Sequence, residues 1–103
     1  MTPTQCTLKD MRARGYDADV TEHWNSFTRQ RKDLWGFCDV LCLGENEIVA
    51  VQTTSWSNVS ARIKKIAESD RVAAVRKAGI RILVQGWRKG KNGRYEKRET
   101  DVS

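Results

Sequence analysis

Apolar and polar positions along the chain repeat with two different periods, and each change of period marks an element. Between residues 4 and 14, Leu8 and Met11 share one helical face, with Thr4 or Thr7 as N-cap and Gly15 as the stop, which predicts a short helix. Residues 18–24, ADVTEHW, alternate with period two and are rich in strand formers, which predicts a strand. Residues 25–32 are polar and hold Arg29, Arg31 and Lys32, the mark of a basic loop. Apolar runs at 37–43 and 48–55, joined by Gly44-Glu45-Asn46-Glu47, predict a second and a third strand paired as a hairpin.

The period then lengthens. Val59, Ile63, Ile66 and Ala73 or Ala74 recur at helical spacing behind the N-cap candidates Ser57 and Asn58, which predicts one long helix ending at Gly79. Residues 80–87, IRILVQGW, predict a buried strand, residues 89–93 carry an Asn-Gly turn signal, and residues 94–100 pair back as an exposed, charged strand. Helix, three strands, helix and strand describe an α/β protein with a mixed sheet: the first three strands lie side by side, and the long helix crosses over to bring the next one in parallel. Residues 1–103 are expected to form a single domain, without internal repeat.

Two places break the apolar logic of the hairpin. Asp39 stands in the first run, where an acid is disfavoured, and the second run ends in Gln52-Thr53-Thr54. A turn at residues 44–47 sets these strand ends across from each other, and together they offer hard oxygen: the Asp39 carboxylate, the Gln52 amide oxygen and the Thr53 main-chain carbonyl. That is a ligand set for Mg²⁺ or Mn²⁺, which take one or two carboxylates and keep several waters.

Composition adds a direction. Lys and Arg number 19 against 13 Asp and Glu, a formal charge of +6, which attracts polyanions, nucleic acid first among them; a merely solvated basic surface is the other explanation. No run of 18 apolar residues and no signal-like segment is present, so a cytoplasmic protein without membrane contact is expected, and its three cysteines, Cys6, Cys38 and Cys42, are expected to be reduced. On a strand Cys38 and Cys42 lie about 13 Å apart, too far to chelate one ion. His23 alternates away from Glu22, and Asp33 suits either a turn cap or a support for Asp39. The tryptophans suit a core or an interface, with base stacking the alternative for Trp56, which follows the polar strand end.

Gly36-Phe37-Cys38-Asp39, with Gln52-Thr53-Thr54 on the next strand, resembles the PD-(D/E)xK nuclease superfamily, whose α-β-β-β-α-β core carries an aspartate on its second strand and an acid or glutamine two residues before a lysine on its third. The glutamine resembles the virus-type replication and repair branch (VRR-NUC) and relatives of RecB nucleases. Residues 20–87 are also similar to small phage proteins with the series E-x-W, D-x-x-G-F-x-D, V-Q-x-T-S-x-x-N and R-x-x-K, here Glu22 to Trp24, Asp33 to Asp39, Val51 to Asn58 and Arg62 to Lys65.

The resemblance implies a restriction-endonuclease-like core with a C-terminal hairpin strand. It implies a metal held by Asp39, Glu22, Gln52 and Thr53, and catalysis by Asp39, Glu22, Gln52, Thr54 and Lys65. Thr54 stands where the family has lysine, so Lys65, in helical register with Arg62, is expected to deliver the missing charge; a solvated helix face accounts for the same residues. Arg29, Arg31, Lys32, Arg62, Arg88 and Lys89 are expected on phosphates, with Lys91 and Arg94 beside them. The expected function is metal-dependent DNA hydrolysis, structure-selective or partner-directed and possible in a homodimer. The other reading, favoured by Gln52 and Thr54, is a nuclease fold that has lost catalysis and binds nucleic acid or a protein.

Overall fold

The computed structural model describes residues 1–21 and 23–103, with the side chains of 23–25 and 31 excepted. Its elements are α1 (Pro3–Ala13), β1 (Asp17–Val20), β2 (His23–Asn25), β3 (Gln30–Lys32), β4 (Val40–Leu43), β5 (Ile48–Ser55), a 3₁₀ turn (Trp56–Asn58), α2 (Val59–Ala67), α3 (Val72–Lys77), β6 (Arg81–Lys89) and β7 (Tyr95–Asp101). Five strands form one mixed sheet in the order β1-β4-β5-β6-β7, and β2 and β3 make a separate antiparallel hairpin. Among the described residues only β5 and β6 run parallel, the pairing that the α2–α3 crossover permits. The protein is therefore mixed α/β, as its alternating periods predict.

α1 covers one face of the sheet, where Met11 packs on Val40, Val49, Val51 and Leu83. α2 and α3 cover the other, where Val59, Ile66, Val72 and Val75 meet Phe37, Ala50, Ile82 and Val84. With both faces covered, β5 is buried from Val49 through Thr54, a continuous run instead of an alternation. Each fully buried valine or isoleucine there is worth about 1.5–3 kcal/mol of burial. Cys6, Cys38 and Cys42 are all buried and free. Among the described residues no helix is long and apolar enough to cross a membrane.

Several boundaries depart from the pattern. α1 starts earlier than Thr4, because Thr2 caps it in a reciprocal box with Gln5 and Pro3 fills its first turn. The strand expected over residues 18–24 stops at Val20, and the basic loop over residues 25–32 is the β2–β3 hairpin around a turn at residues 26–29. The run expected as strand from residue 37 begins only at Val40, because the chain reverses just before it: Phe37 N–H donates to Leu34 O at 3.3 Å, with Trp35 at φ 60° and Gly36 at φ 79°. Positive φ at both central positions is what a type I′ turn requires, easy for Gly36 and costly for Trp35. The long helix breaks at residues 68–71, where Ser69 Oγ accepts from Arg71 N–H and offers the backbone a turn in place of helix.

Candidate functional site

Asp39 closes the turn that leads into β4. Its N–H donates to Val51 O, the residue that Val40 faces in the β4–β5 register, so two successive residues address one partner in the manner of a β-bulge. Asp39 as a whole is 8% exposed. Its Oδ2 accepts from Gln52 Nε2 at 2.6 Å and from Thr53 N–H at 2.9 Å. Where β4 has not yet begun, a side chain thus takes the place of the neighbouring strand in satisfying β5.

Gln52, 2% exposed, has spent its nitrogen on Asp39, and its Oε1 is buried without a hydrogen-bond partner. The assignment of the amide is fixed by its partner, since a carboxylate oxygen can only accept. A buried orphan acceptor of this kind costs about 1–3 kcal/mol, and a cation beside it would remove that cost. Thr53 Oγ1 is likewise buried without a partner. Thr54 is buried and neutral, two residues beyond Gln52 on the same face of β5.

Asp39, Gln52 and Thr53 are thus brought together by hydrogen bonds, and Thr54 adjoins them. Lys65 is not: it lies exposed on α2 and makes no hydrogen bond or ion pair with a described residue. Arg62 sits half-buried one turn earlier. Glu22 and the side chain of Arg31 lie outside the described residues, as does that of His23. Asp33 serves the turn, its carbonyl accepting from Gly36 N–H at 3.5 Å. Among the described residues no three His, Cys, Asp or Glu side chains gather in one place. Mg²⁺ does not need three: one carboxylate and one amide oxygen, with waters and substrate phosphates, fill an octahedral shell. The donors at Asp39 and Gln52 therefore fit such an ion.

Apart from Arg62 on α2, the described side chains expected on phosphates fall into two groups. Arg29 and Lys32 are exposed on the β2–β3 hairpin, beside Phe27 at its tip, which is 97% exposed. Arg88 and Lys89 end β6, where Arg88 Nε pairs with Glu96 Oε2 at 2.8 Å. The Arg88 guanidinium also lies over the Trp56 ring, 3.8 Å from its centre, and Arg98 approaches the same ring at 5.4 Å. Arg98 is absent from the sequence-based expectations because no spacing signals it; only the β6–β7 register, with Gly86 opposite Arg98, brings it to Trp56. Comparison with protein-family models, with curated proteins and with solved structures finds no match to this chain.

Proposed function

We propose that the chain is a metal-dependent nuclease of the PD-(D/E)xK kind, acting on DNA through the site at Asp39 and Gln52. The observation that carries this reading is the pairing of a nearly buried carboxylate with an unpartnered amide oxygen at the ends of two central strands. Its support is the order of the elements that build the main sheet: α1, then β1, β4 and β5 in antiparallel succession with the β2–β3 hairpin inserted after β1, then a helical crossover and the parallel strand β6.

In this reading Asp39 and Gln52 hold a Mg²⁺ or Mn²⁺ ion, with Glu22 as the candidate second carboxylate. When bound, the ion would polarise a phosphoryl oxygen and make water a better nucleophile. The chain's own residues do the positioning. Gln52 Nε2 and the Thr53 N–H lock the Asp39 carboxylate in one orientation, which lowers the reorganisation needed when charge builds at phosphorus. Lys65 would supply the cation that Thr54 lacks. The basic surface would hold the DNA backbone without reading its sequence.

Thr54 favours a second reading. It is neutral and buried at the lysine position, and Lys65 is unengaged, as in a nuclease fold that only binds. Cleavage of supercoiled, linear, branched and single-stranded DNA with Mg²⁺ or Mn²⁺, by wild type and Asp39→Ala, separates the two. Metal-dependent cutting lost in the variant is the expected result. No cutting by the wild type, with salt-sensitive DNA binding kept in both proteins, would replace the enzyme by the binding module.

A further inference from the structure

The face of the sheet that carries Gln52 and Thr54 continues past the strand ends into a second constellation. Thr54 faces Gly86 across β5 and β6, and Gly86 faces Arg98 across β6 and β7. Arg88, two residues after Gly86, lies on that same face. Trp56 sits over this corner because Gly86 leaves room: a Cβ there would stand 2.3 Å from Val59 Cγ2 and 3.2 Å from Trp56 Cα. The ring is then approached by both guanidiniums, at 3.8 and 5.4 Å. Arg98 is tied down further by donating to Trp56 O at 3.3 Å, and Arg88 by Glu96.

Two long side chains that would ordinarily sample many rotamers are thus both held at one ring. Each guanidinium has five N–H donors and has committed few of them, and the planar fork matches a phosphate. Like charges brought to one ring repel each other unless an anion joins them. Among the described residues Glu96 is the acid that pairs here, and Lys89 at the end of β6 with Lys91 in the connection after it add positive charge.

We propose that Trp56, Arg88 and Arg98 form a phosphate clamp that grips the DNA backbone, with Arg88 four residues along β6 from Val84, the residue that faces Gln52, and so about 13 Å from it at about 3.3 Å per residue. The clamp rests on the nucleic-acid part of the reading above and deepens it. Trp56 is then a platform for guanidiniums, both of which already approach its ring. A row of cations on a strand and its connection follows a polyanion better than it fits a compact acidic ligand, which is why DNA is the occupant.

The test is equilibrium binding of a labelled DNA duplex by the full chain in EDTA, read by fluorescence anisotropy over a series of salt concentrations. Removing both contacts in Arg88→Ala/Arg98→Ala should make the slope of log K against log salt shallower by about 1.8, at about 0.9 per phosphate contact. Arg88→Lys/Arg98→Lys should keep the slope and bind more weakly, because lysine keeps the charge but loses the fork and the stacking. Trp56→Leu should also keep the slope and bind more weakly, and Lys77→Ala on α3 should change nothing. A wild-type slope and affinity in the double alanine variant would overturn the clamp. Wild-type affinity in Trp56→Leu would overturn the role of the ring, and binding of an acidic peptide in place of DNA would overturn the occupant. A wild type that binds through these arginines but cuts nothing with Mg²⁺ or Mn²⁺ would sink the nuclease reading and leave the clamp. One that cuts DNA while the double alanine variant binds as wild type would do the reverse.

Discussion

Gln52→Glu changes one atom of the Asp39 contact and inverts its chemistry. The amide nitrogen that donates to Asp39 Oδ2 at 2.6 Å becomes an oxygen. The charge-assisted hydrogen bond, worth about 1.5–3 kcal/mol, is lost. Two ionised carboxylates about 3 Å apart would repel by roughly 5 kcal/mol at an effective dielectric of about 20, so the pair retains one proton instead. The net cost at neutral pH is on the order of 2–4 kcal/mol, which lowers the midpoint of thermal unfolding by roughly 8–30 °C at about 4–8 °C per kcal/mol. The sign with pH follows from linkage. Between the ordinary carboxylate range and the raised value the folded pair holds a proton that the unfolded chain has released, so the cost is full above the raised value, fades as the pH falls toward the ordinary range and is gone below it. A divalent ion should have the same effect as the proton: at a hundred times its dissociation constant it returns about 2.7 kcal/mol. The assay is thermal unfolding of wild type and variant, at mildly acidic and mildly alkaline pH, in EDTA and in millimolar Mg²⁺ or Mn²⁺. A variant that melts with the wild type in EDTA at both pH values would refute the contact, and a destabilised variant indifferent to the metals would refute the ion site.

Three further outcomes follow from the packing and the charges. Gly86→Ala drives a methyl group to within 2.3 Å of Val59 Cγ2 and should cost about 1–3 kcal/mol in urea unfolding; an unmoved midpoint would mean that the 3₁₀ turn is not seated on β6. Burial pushes the Cys38 thiol up to about 12 and the Cys42 thiol to about 11, so the folded protein keeps both protonated. Stability should therefore be complete below about pH 9 and fall as the pH rises toward those values, at about 1.4 kcal/mol per pH unit per thiol, and rapid stoichiometric labelling of native protein by a thiol reagent would contradict the burial. Burial alone would raise Glu99, but hydrogen bonds from Gln85 and Arg14 with Lys97 nearby outweigh it and hold it below the ordinary value. Glu99→Gln should thus lose stability at neutral pH and lose less of the remainder on acidification, and a variant as stable as the wild type in a neutral urea titration would refute it.

The elements most legible in the sequence are those whose burial sets the pattern. The apolar runs of β4, β5 and β6 and the helical spacing of Val59, Ile63 and Ile66 reflect one two-sided core, and a period reads such a core well. The errors fall where a local hydrogen bond outweighs a period: Ser69 ends α2, Thr2 starts α1, and the turn at Trp35 and Gly36 consumes residues whose apolar character looks like strand. At the site, Asp39 and Gln52 stand out because a polar residue in a buried run needs a reason. The link between Trp56, Arg88 and Arg98 is hidden, because it joins residues 32 and 42 positions apart through strand pairing that sequence spacing does not encode.

The two open edges of the sheet bear on how the protein behaves when concentrated. β1 presents Asp17 and Asp19 to solvent, and β7 carries charges of both signs at Glu96, Lys97, Arg98, Glu99 and Asp101. A second copy adding itself as a further strand would have to strip water from those ions, the device by which natural sheets resist polymerising edge to edge. Self-association through a continuous intermolecular sheet is thereby disfavoured, and the stock solution should tolerate high concentration even though the sheet ends in two edge strands.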